Sequence, residues 1–172
     1  MLRIISGRYK GHTLDDISSN KIRPTQARVK KSMLQILEPF RDKIVLDLFS
    51  GSGCLGIEAI SRGASRVVSI ENNKQNFKLL NRNFNKISPD NDYQTIFMDA
   101  IKFLNTSKLS FDIIICDPPY FKFDYMEIFN KSIPLMNKGG IFCMEMEKNM
   151  VDEDIFRVKL YGDTQIILWT KK

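Results

Sequence analysis

The most informative stretch of the chain is KIVLDLFSGSGCLG, residues 43–56. Its first half is an apolar run with the length and composition of a buried strand, and its second half is a turn rich in glycine. Gly51, Gly53 and Gly56 fit the pattern G-x-G-x-x-G, directly after the strand and directly before a helical pattern. This order predicts an open α/β sheet that binds a nucleotide-like ligand at the carboxyl ends of its strands.

Short apolar segments alternate with amphipathic ones through the rest of the chain. We predict further strands at 66–70, 93–98, 111–116 and 140–146, and helices at 57–62, 77–87, 101–104 and 126–136. Residues 156–161 and 165–170 are predicted to pair antiparallel across Gly162 and Asp163. The fold class is therefore α/β, a Rossmann-like, mostly parallel seven-stranded sheet with an antiparallel C-terminal hairpin.

The first 41 residues follow another pattern. Segments 3–5 and 12–14 flank Gly7 and Gly11, which predicts a small hairpin, and Thr25 is a plausible N-cap for a helix to about Glu38. The buried stripe of this helix is predicted to be Val29, Met33, Ile36, Leu37 and Phe40, with three basic residues mainly off the stripe, namely Arg28, Lys30 and Lys31. We interpret residues 1–41 as an appendage on a domain of residues 42–172.

Composition narrows the class of protein. The 172 residues suit one domain, and 43% hydrophobic residues argue against disorder. No apolar run approaches the ~20 residues of a membrane span, and the N-terminus lacks the apolar core of a signal peptide, so we expect a soluble, cytoplasmic protein without a membrane partner. Cys54, Cys116 and Cys143 are scattered, which favours buried thiols over a disulfide framework or a zinc site, and no metal is expected.

The net charge of +6 is concentrated at the N-terminal end. Residues 1–41 hold nine Lys and Arg but three acidic residues, whereas residues 42–172 hold 17 of each sign. Such an asymmetry is typical of a surface that meets a polyanion, although a solvated basic face without a partner explains the charge alone equally well.

Three carboxylates end three successive predicted strands. Glu71 lies 20 residues after Gly51, where it can accept hydrogen bonds from ribose hydroxyls. Asp47 suits a cationic amino-acid end better than a pyrophosphate, and Asp99 can accept from an adenine amine. Together the three favour S-adenosylmethionine as the cofactor. The structural alternatives are a carboxylate capping the glycine turn for Asp47, a surface acid for Glu71, and a helix N-cap for Asp99.

The fourth predicted strand of the sheet, residues 111–116, ends in the motif Asp117-Pro118-Pro119-Tyr120. Two prolines stiffen the turn and end the ladder. The Asp117 carboxylate and the Pro118 carbonyl can together hold the two N–H groups of an exocyclic base amine and orient its nitrogen for methyl transfer. Tyr120 offers a ring on which a base can stack. Phe121 and Phe123 are candidates for the pocket wall or for the core. The motif predicts amine methylation, without a choice between guanine, adenine and cytosine.

Several of these segments resemble one known family. Residues 47–64, 3–11 and 22–30, together with Asp117 to Tyr120, are similar to the RsmD family of bacterial small-subunit rRNA guanine-N2 methyltransferases. The resemblance covers essentially the whole chain, although Ser50 and Cys54 stand where small alanines are common and the C-terminal third matches loosely.

The resemblance implies a Rossmann-like class I methyltransferase fold and methylation of one guanine in 16S rRNA (the guanine 966 type), with the small ribosomal subunit as partner. It implies base binding by Asp117, Pro118, Pro119 and Tyr120. It implies cofactor binding by Asp47, Phe49, Ser50, Gly51, Ser52, Gly53, Glu71, Asn72, Asp99, Ala100 and Asp117. It implies rRNA contacts by Arg3, Arg8, Lys10, Arg23, Thr25 and Arg28. We expect a monomer.

Three other functions remain open. A DNA adenine or cytosine amine methyltransferase shares the Asp-Pro-Pro-Tyr motif but usually carries a large target-recognition domain, for which this chain has no room. A nicotinamide-dependent oxidoreductase is compatible with the glycine turn alone. A non-catalytic RNA-binding module is compatible with the fold, but the acids at every cofactor position argue against it.

Overall fold

A computed structural model describes residues 2–16, 24–87 and 93–172, and for residues 24–26 it describes the backbone alone. The strands are β1 (Leu2–Arg3), β2 (Thr13–Leu14), β3 (Ile44–Leu48), β4 (Arg66–Glu71), β5 (Tyr93–Phe97), β6 (Phe111–Cys116), β7 (Met136–Glu147), β8 (Arg157–Tyr161) and β9 (Thr164–Thr170). The helices are α1 (Pro24–Ile36), α2 (Cys54–Ser61), α3 (Lys74–Ile87), α4 (Ala100–Thr106) and α5 (Tyr125–Ser132), and a 3-10 turn covers Ile133–Leu135.

The main sheet has seven strands in the order β5-β4-β3-β6-β7-β9-β8. The first five of these pair in parallel, and β9 runs antiparallel to both β7 and β8. The chain moves outward from β3 to β5 and then returns to place β6 on the other side of β3. The carboxyl ends of β3 and β6 therefore form the switch point at which open α/β sheets bind ligands. The predicted fold class is confirmed.

Each face of the sheet is covered by its own apolar layer. One layer joins alternate strand residues such as Val45 and Ile113 to α1, α2, α3 and the small β1–β2 hairpin. The other joins the intervening residues, such as Leu46 and Ile114, to α4 and α5. Because successive strand residues point to opposite faces, the continuous apolar runs of β3 and β6 fill both layers.

The N-terminal segment packs on the first layer. Ile4, Leu14, Val29 and Met33 are buried there together with residues of α2 and the sheet. The hairpin also hydrogen-bonds to the end of α2, where the Arg8 N–H donates to the Ser61 carbonyl at 2.7 Å. Helix α1 contacts β7 and β9, and Lys30, in the middle of the helix, reaches Asp117 directly after β6. The predicted hairpin is present, and the predicted stripe is buried except for the half-buried Ile36.

Three predicted boundaries were wrong. The helix predicted at 126–136 ends at Ser132, because Pro134 lacks the amide hydrogen that would continue it, and a 3-10 turn follows. Strand β7 consequently starts at Met136 and not at residue 140. Helix α1 already includes Pro24, so Thr25 lies inside the helix and not at its N-cap.

Candidate active site

A cavity of about 660 Å³ opens at the carboxyl ends of the parallel strands. Its wall includes most of the residues predicted to act there: Phe49, Gly51, Glu71, Asn72, Ala100 and all four residues of the Asp117–Tyr120 motif. The structure thus brings the glycine turn and the Asp-Pro-Pro-Tyr motif, which lie more than 60 residues apart, to one cavity. The other predicted cofactor residues, Asp47, Ser50, Ser52, Gly53 and Asp99, are not part of its wall.

The glycine turn has a backbone that few other residues allow. Gly51 and Gly53 have φ of 56° and 82°, in the left-handed region. A Cβ on Gly53 would lie 2.5 Å from Leu80 Cδ1, so any other residue here would have to displace the Leu80 side chain of α3. A Cβ on Gly51 would meet no atom within 4 Å, since this position faces the open cavity. Phe49 also has a positive φ, 64°, and packs against Phe123 with ring centroids 4.8 Å apart.

Glu71 holds the turn and the strand end together. Its Oε2 accepts from the Gly51 N–H at 2.8 Å, and its Oε1 accepts from the Asn73 N–H at 2.7 Å. These bonds fix the carboxylate at the cavity wall while leaving lone pairs on both oxygens. A ligand with hydroxyl groups can use those remaining acceptors.

Asp47 is a buried carboxylate beneath the turn, with 1% of its surface exposed. Its Oδ2 accepts from the Gly56 N–H at 3.1 Å, which is the turn-capping alternative considered above. Its Oδ1 has no hydrogen-bond partner among the described residues. Burial raises the pKa of Asp47 to about 7, because the charged form loses its hydration.

Asp99 acts as the N-cap of α4 in this structure. Its Oδ1 accepts from the Lys102 N–H at 3.0 Å, and the residues on either side of it, Met98 and Ala100, line the cavity. Ser50 and Ser52 contribute to the scaffold: Ser50 Oγ donates to the Asp47 carbonyl at 2.7 Å, and the Ser52 carbonyl accepts from Asn83 Nδ2 at 2.9 Å.

The Asp-Pro-Pro-Tyr motif meets a polar cluster that the sequence did not predict. Lys30 Nζ lies 3.1 Å from Asp117 Oδ2, although the helical pattern predicts Lys30 to lie mainly off the buried stripe of its helix. The Tyr120 hydroxyl donates to Glu145 Oε1 at 3.2 Å and lies 2.9 Å from Thr164 Oγ1. Lys30, Glu145, Asn73, Asn76 and Lys122 line the cavity and were all missed. For Glu145, the one available signal was an acid between two apolar residues, Met144 and Met146, in a strand-like segment.

The charges of this cluster perturb one another. Burial alone would lower the pKa of Lys30, but its acidic neighbours, Asp117 foremost and Glu145 among them, together outweigh burial and raise the pKa. Burial, followed by the charge of Asp117, raises the pKa of Glu145 to about 7. Burial also raises the pKa of Tyr120 to about 12, so its hydroxyl stays protonated at neutral pH. Closely packed groups with shifted pKa values are typical of functional sites.

The two phenylalanines after the motif differ in their positions. Phe123 lines the cavity, whereas Phe121 is 85% exposed with a φ of 60° and belongs neither to the core nor to the cavity wall. The predicted rRNA-contacting residues Arg3, Arg8, Lys10 and Arg28 are exposed and do not line the cavity. Arg23 and the Thr25 side chain lie outside the described residues.

Two kinds of feature are not found in the described part of the chain. Residues 2–16, 24–87 and 93–172 contain no group of three or more His, Cys, Asp or Glu side chains placed to hold a metal ion. Within the same ranges, no helix has the length and apolar character needed to cross a bilayer. All three cysteines are free thiols.

Comparison with known proteins gives matches along the whole chain. A family model described as Conserved hypothetical protein 95 matches residues 2–170. Ribosomal RNA small subunit methyltransferase D of Buchnera aphidicola subsp. Baizongia pistaciae is 36% identical over 121 residues, which cover 69% of this chain and 61% of that protein. The Escherichia coli K12 protein of the same name is 33% identical over 120 residues, which cover 69% and 60%. The match therefore spans about three fifths of each relative's length.

A solved structure supports the same relationship. The protein described as "Putative methyltransferase yhhF from Escherichia coli" superposes with a TM-score of 0.87 at 26% identity, over 99% of this chain and 98% of that one. This chain thus has the Rossmann-like methyltransferase fold, with its appendage included in the superposition. From its sequence and its fold alike, the chain belongs to the RsmD family, the family of Conserved hypothetical protein 95.

Proposed function

We propose that this protein transfers a methyl group from S-adenosylmethionine to the exocyclic N2 amine of one guanine in 16S rRNA. The observation that carries this proposal is the shared cavity, whose wall contains both the Gly51–Glu71 pair and the Asp117–Tyr120 motif. A site for a nucleoside cofactor thereby meets a site for a base amine. The relatives named Ribosomal RNA small subunit methyltransferase D support the choice of rRNA as substrate.

The described residues fit S-adenosylmethionine. Glu71 keeps acceptors for ribose hydroxyls, and the open side of Gly51 lets a ligand approach the backbone. The Asp47 Oδ1, which has no hydrogen-bond partner among the described residues, suits the cationic amino-acid end of the cofactor. Asp47 lies beneath the glycine turn, so in this proposal its charge attracts that end from across the turn. Asp99, with Oδ1 on the α4 cap, retains Oδ2 for the adenine amine. When bound, S-adenosylmethionine supplies an electrophilic methyl group on a sulfonium.

The chain's own residues orient the base. A base amine is a weak nucleophile because its lone pair is delocalised into the ring. The Asp117 carboxylate and the Pro118 carbonyl accept its two N–H groups, which directs the nitrogen lone pair toward the cofactor end of the cavity. The carboxylate also stabilises the positive charge that develops on nitrogen. Tyr120, at the same wall, provides the stacking surface, and no strong general base is required if the proton leaves after transfer.

The basic appendage binds the substrate in this proposal. Residues 1–41 contact rRNA of the small subunit, and residues 42–172 hold the cofactor and the reacting base. The exposure of Arg3, Arg8, Lys10 and Arg28 supports this division, since exposed cations can pair with phosphates. We assign the protein to the cytoplasm on the basis of its rRNA substrate, and we propose that it acts as a monomer without a metal ion.

Methyl transfer from labelled cofactor to undermethylated 30S subunits and to free 16S rRNA tests the proposal. We expect N2-methylguanosine in the digested product, identified by mass spectrometry. Asp117→Ala should reduce kcat at least roughly 100-fold, the scale reported for loss of one charge-stabilising group. Glu153→Ala, at an exposed position, is the matched control. Labelled N6-methyladenine or N4-methylcytosine, or undiminished transfer by Asp117→Ala, would contradict the proposal.

A further inference from the structure

Glu145 is the least expected residue of the cavity wall. It lies in the buried strand β7 with 2% of its surface exposed, and it lines the cavity. Its Oε1 accepts from the Tyr120 hydroxyl, whereas its Oε2 has no hydrogen-bond partner among the described residues. A buried carboxylate with a free oxygen destabilises the fold unless something binds to it. Its position at the cavity wall, beside the base-binding motif, indicates that the missing partner is a ligand.

Lys30 supplies the opposite charge from another element. It reaches from α1 to Asp117, and its side chain stays about one-third exposed (32%) at the cavity wall. An ammonium group has three N–H donors, so the pair with Asp117 leaves donors for a ligand. The cluster thus presents two acceptors, Asp117 and Glu145, and one donor, Lys30, and their charges act on one another.

The three amine-bearing bases differ in the groups beside the amine. In guanine, the N2 amine is followed by the N1–H donor and then by the O6 acceptor. In adenine and cytosine, the group beside the amine is a ring nitrogen without hydrogen, which is an acceptor. Recognition of unstacked bases uses hydrogen bonds to this Watson–Crick edge. An acceptor beside the amine site therefore favours guanine, and a donor there favours adenine or cytosine.

We infer that Glu145 and Lys30 select guanine: a Glu145 oxygen accepts from N1–H, and the Lys30 ammonium donates to O6, while Asp117 and Pro118 hold the N2 amine. This inference rests on the proposed function and adds the base selectivity that the Asp-Pro-Pro-Tyr motif lacks. It also assigns α1 a direct role at the reacting base, because Lys30 belongs to this helix. The same helix carries the exposed Arg28, which we propose to contact rRNA.

The test compares two target nucleotides in the same RNA. The methylated guanosine is first mapped with the wild-type enzyme, and a synthetic RNA segment is then prepared with guanosine or 2-aminopurine riboside at that position. 2-Aminopurine keeps the amine but lacks both N1–H and O6. The wild-type enzyme should prefer guanosine by about 100-fold in kcat/KM, because a site built to hydrogen-bond a group rejects an analogue without it.

Two variants with matched controls assign the preference to residues. Glu145→Gln and Lys30→Met should each reduce the guanosine to 2-aminopurine preference by roughly tenfold, because each removes a contact that only guanosine makes. The controls are Glu147→Gln, two residues along β7 with its Oε1 accepting from the Phe121 N–H at 3.3 Å, and Lys31→Met, the exposed neighbour of Lys30. Both controls should retain the wild-type preference. A general folding defect lowers both rates together and leaves their ratio unchanged.

The possible results separate the two proposals. If the wild-type enzyme forms N2-methylguanosine but both variants keep its preference within twofold, the inference on Glu145 and Lys30 is overturned and the proposed function stands. If the wild-type enzyme forms no N2-methylguanosine on any rRNA substrate, the proposed function fails and the inference fails with it. Calorimetric binding of S-adenosylhomocysteine and the melting temperature establish that each variant is folded. If Glu145→Gln fails to fold, the Lys30→Met and Lys31→Met pair decides the matter alone.

Discussion

Replacement of Gly7 by alanine should detach the N-terminal hairpin from α2. Gly7 has a φ of 84°, and a Cβ built on it would lie 1.8 Å from the Ser61 carbonyl oxygen. That oxygen already accepts from the Arg8 N–H at 2.7 Å, and the Ser61 hydroxyl accepts from the Tyr9 N–H at 3.0 Å. The loop therefore has to lift away from α2 to admit a methyl group, and both of these hydrogen bonds are lost.

Gly11→Ala provides the matched control for the size of this effect. Gly11 has nearly the same φ, 87°, but a Cβ there would meet no atom within 4 Å. The left-handed backbone costs an L-residue ~1–2 kcal/mol in both variants. The two lost hydrogen bonds, at ~0.5–1.5 kcal/mol each, add ~1–3 kcal/mol in Gly7→Ala alone. We expect unfolding free energies reduced by ~2–5 kcal/mol for Gly7→Ala and by ~1–2 kcal/mol for Gly11→Ala.

Urea denaturation followed by circular dichroism measures both values. Each kcal/mol corresponds to ~2–4 °C in melting temperature for a chain of this size, so a thermal scan gives an independent reading. Equal destabilisation by the two substitutions would contradict this prediction, because it would mean that the contact with Ser61 contributes nothing beyond the backbone strain. Proteolysis within the first 16 residues should also be faster in Gly7→Ala than in Gly11→Ala.

Three further predictions concern the cavity. Glu71→Gln replaces one of two oxygens that accept from backbone N–H groups with an amide NH2, which cannot accept. Calorimetry should therefore show S-adenosylhomocysteine binding weakened by roughly 10- to 100-fold. The control Glu127→Gln, on α5, should bind as the wild type does. For Asp47, the pKa of about 7 in the folded state exceeds the unfolded value of 3.8, so the folded state holds the proton more tightly and stability falls as pH rises between these values. Urea titrations at several pH values should show that Asp47→Asn removes up to ~1.4 kcal/mol per pH unit from this decrease in the unfolding free energy. The same dependence of the unfolding free energy on pH in both proteins would contradict the prediction. Tyr120→Phe should keep KM for RNA within a few-fold, whereas Tyr120→Ala should raise it by roughly 5- to 150-fold through the loss of ~1–3 kcal/mol of stacking; similar values for both would exclude the ring as the stacking surface.

Local patterns in the sequence were sufficient for the architecture. The apolar run of β3 followed by Gly51 and Gly53 leads directly into α2, and the strands and helices after it follow their own periodicities. These features depend on neighbours along the chain, so the seven-stranded Rossmann-like sheet was predicted correctly. The predicted boundary between α5 and β7 was wrong because the predicted helix continued past Pro134 to residue 136. Pro134 is itself the local signal for the end of the helix.

The composition of the site depended on packing between distant elements. The positions of Asp117 and Glu71 at the cavity were predictable because each stands at the end of a strand, and parallel strands bring their carboxyl ends to one edge of the sheet. Lys30 belongs to a helix outside the sheet, and only the packing of α1 over β7 and β9 places its ammonium 3.1 Å from Asp117. Glu145 is surrounded in sequence by Met144 and Met146, which mark a buried strand but do not show that the acid faces a cavity.

The glycine turn, the Asp-Pro-Pro-Tyr segment and the succession of strands around them are encoded by residues next to one another, so the sequence was enough to predict them. Only the packing of distant elements shows which charges surround the Asp117–Tyr120 motif. Electrostatic and hydrogen-bond partners are set by distance in space, and the pairs that matter here, Lys30 with Asp117 and Tyr120 with Glu145, are separated by 87 and 25 positions in the chain.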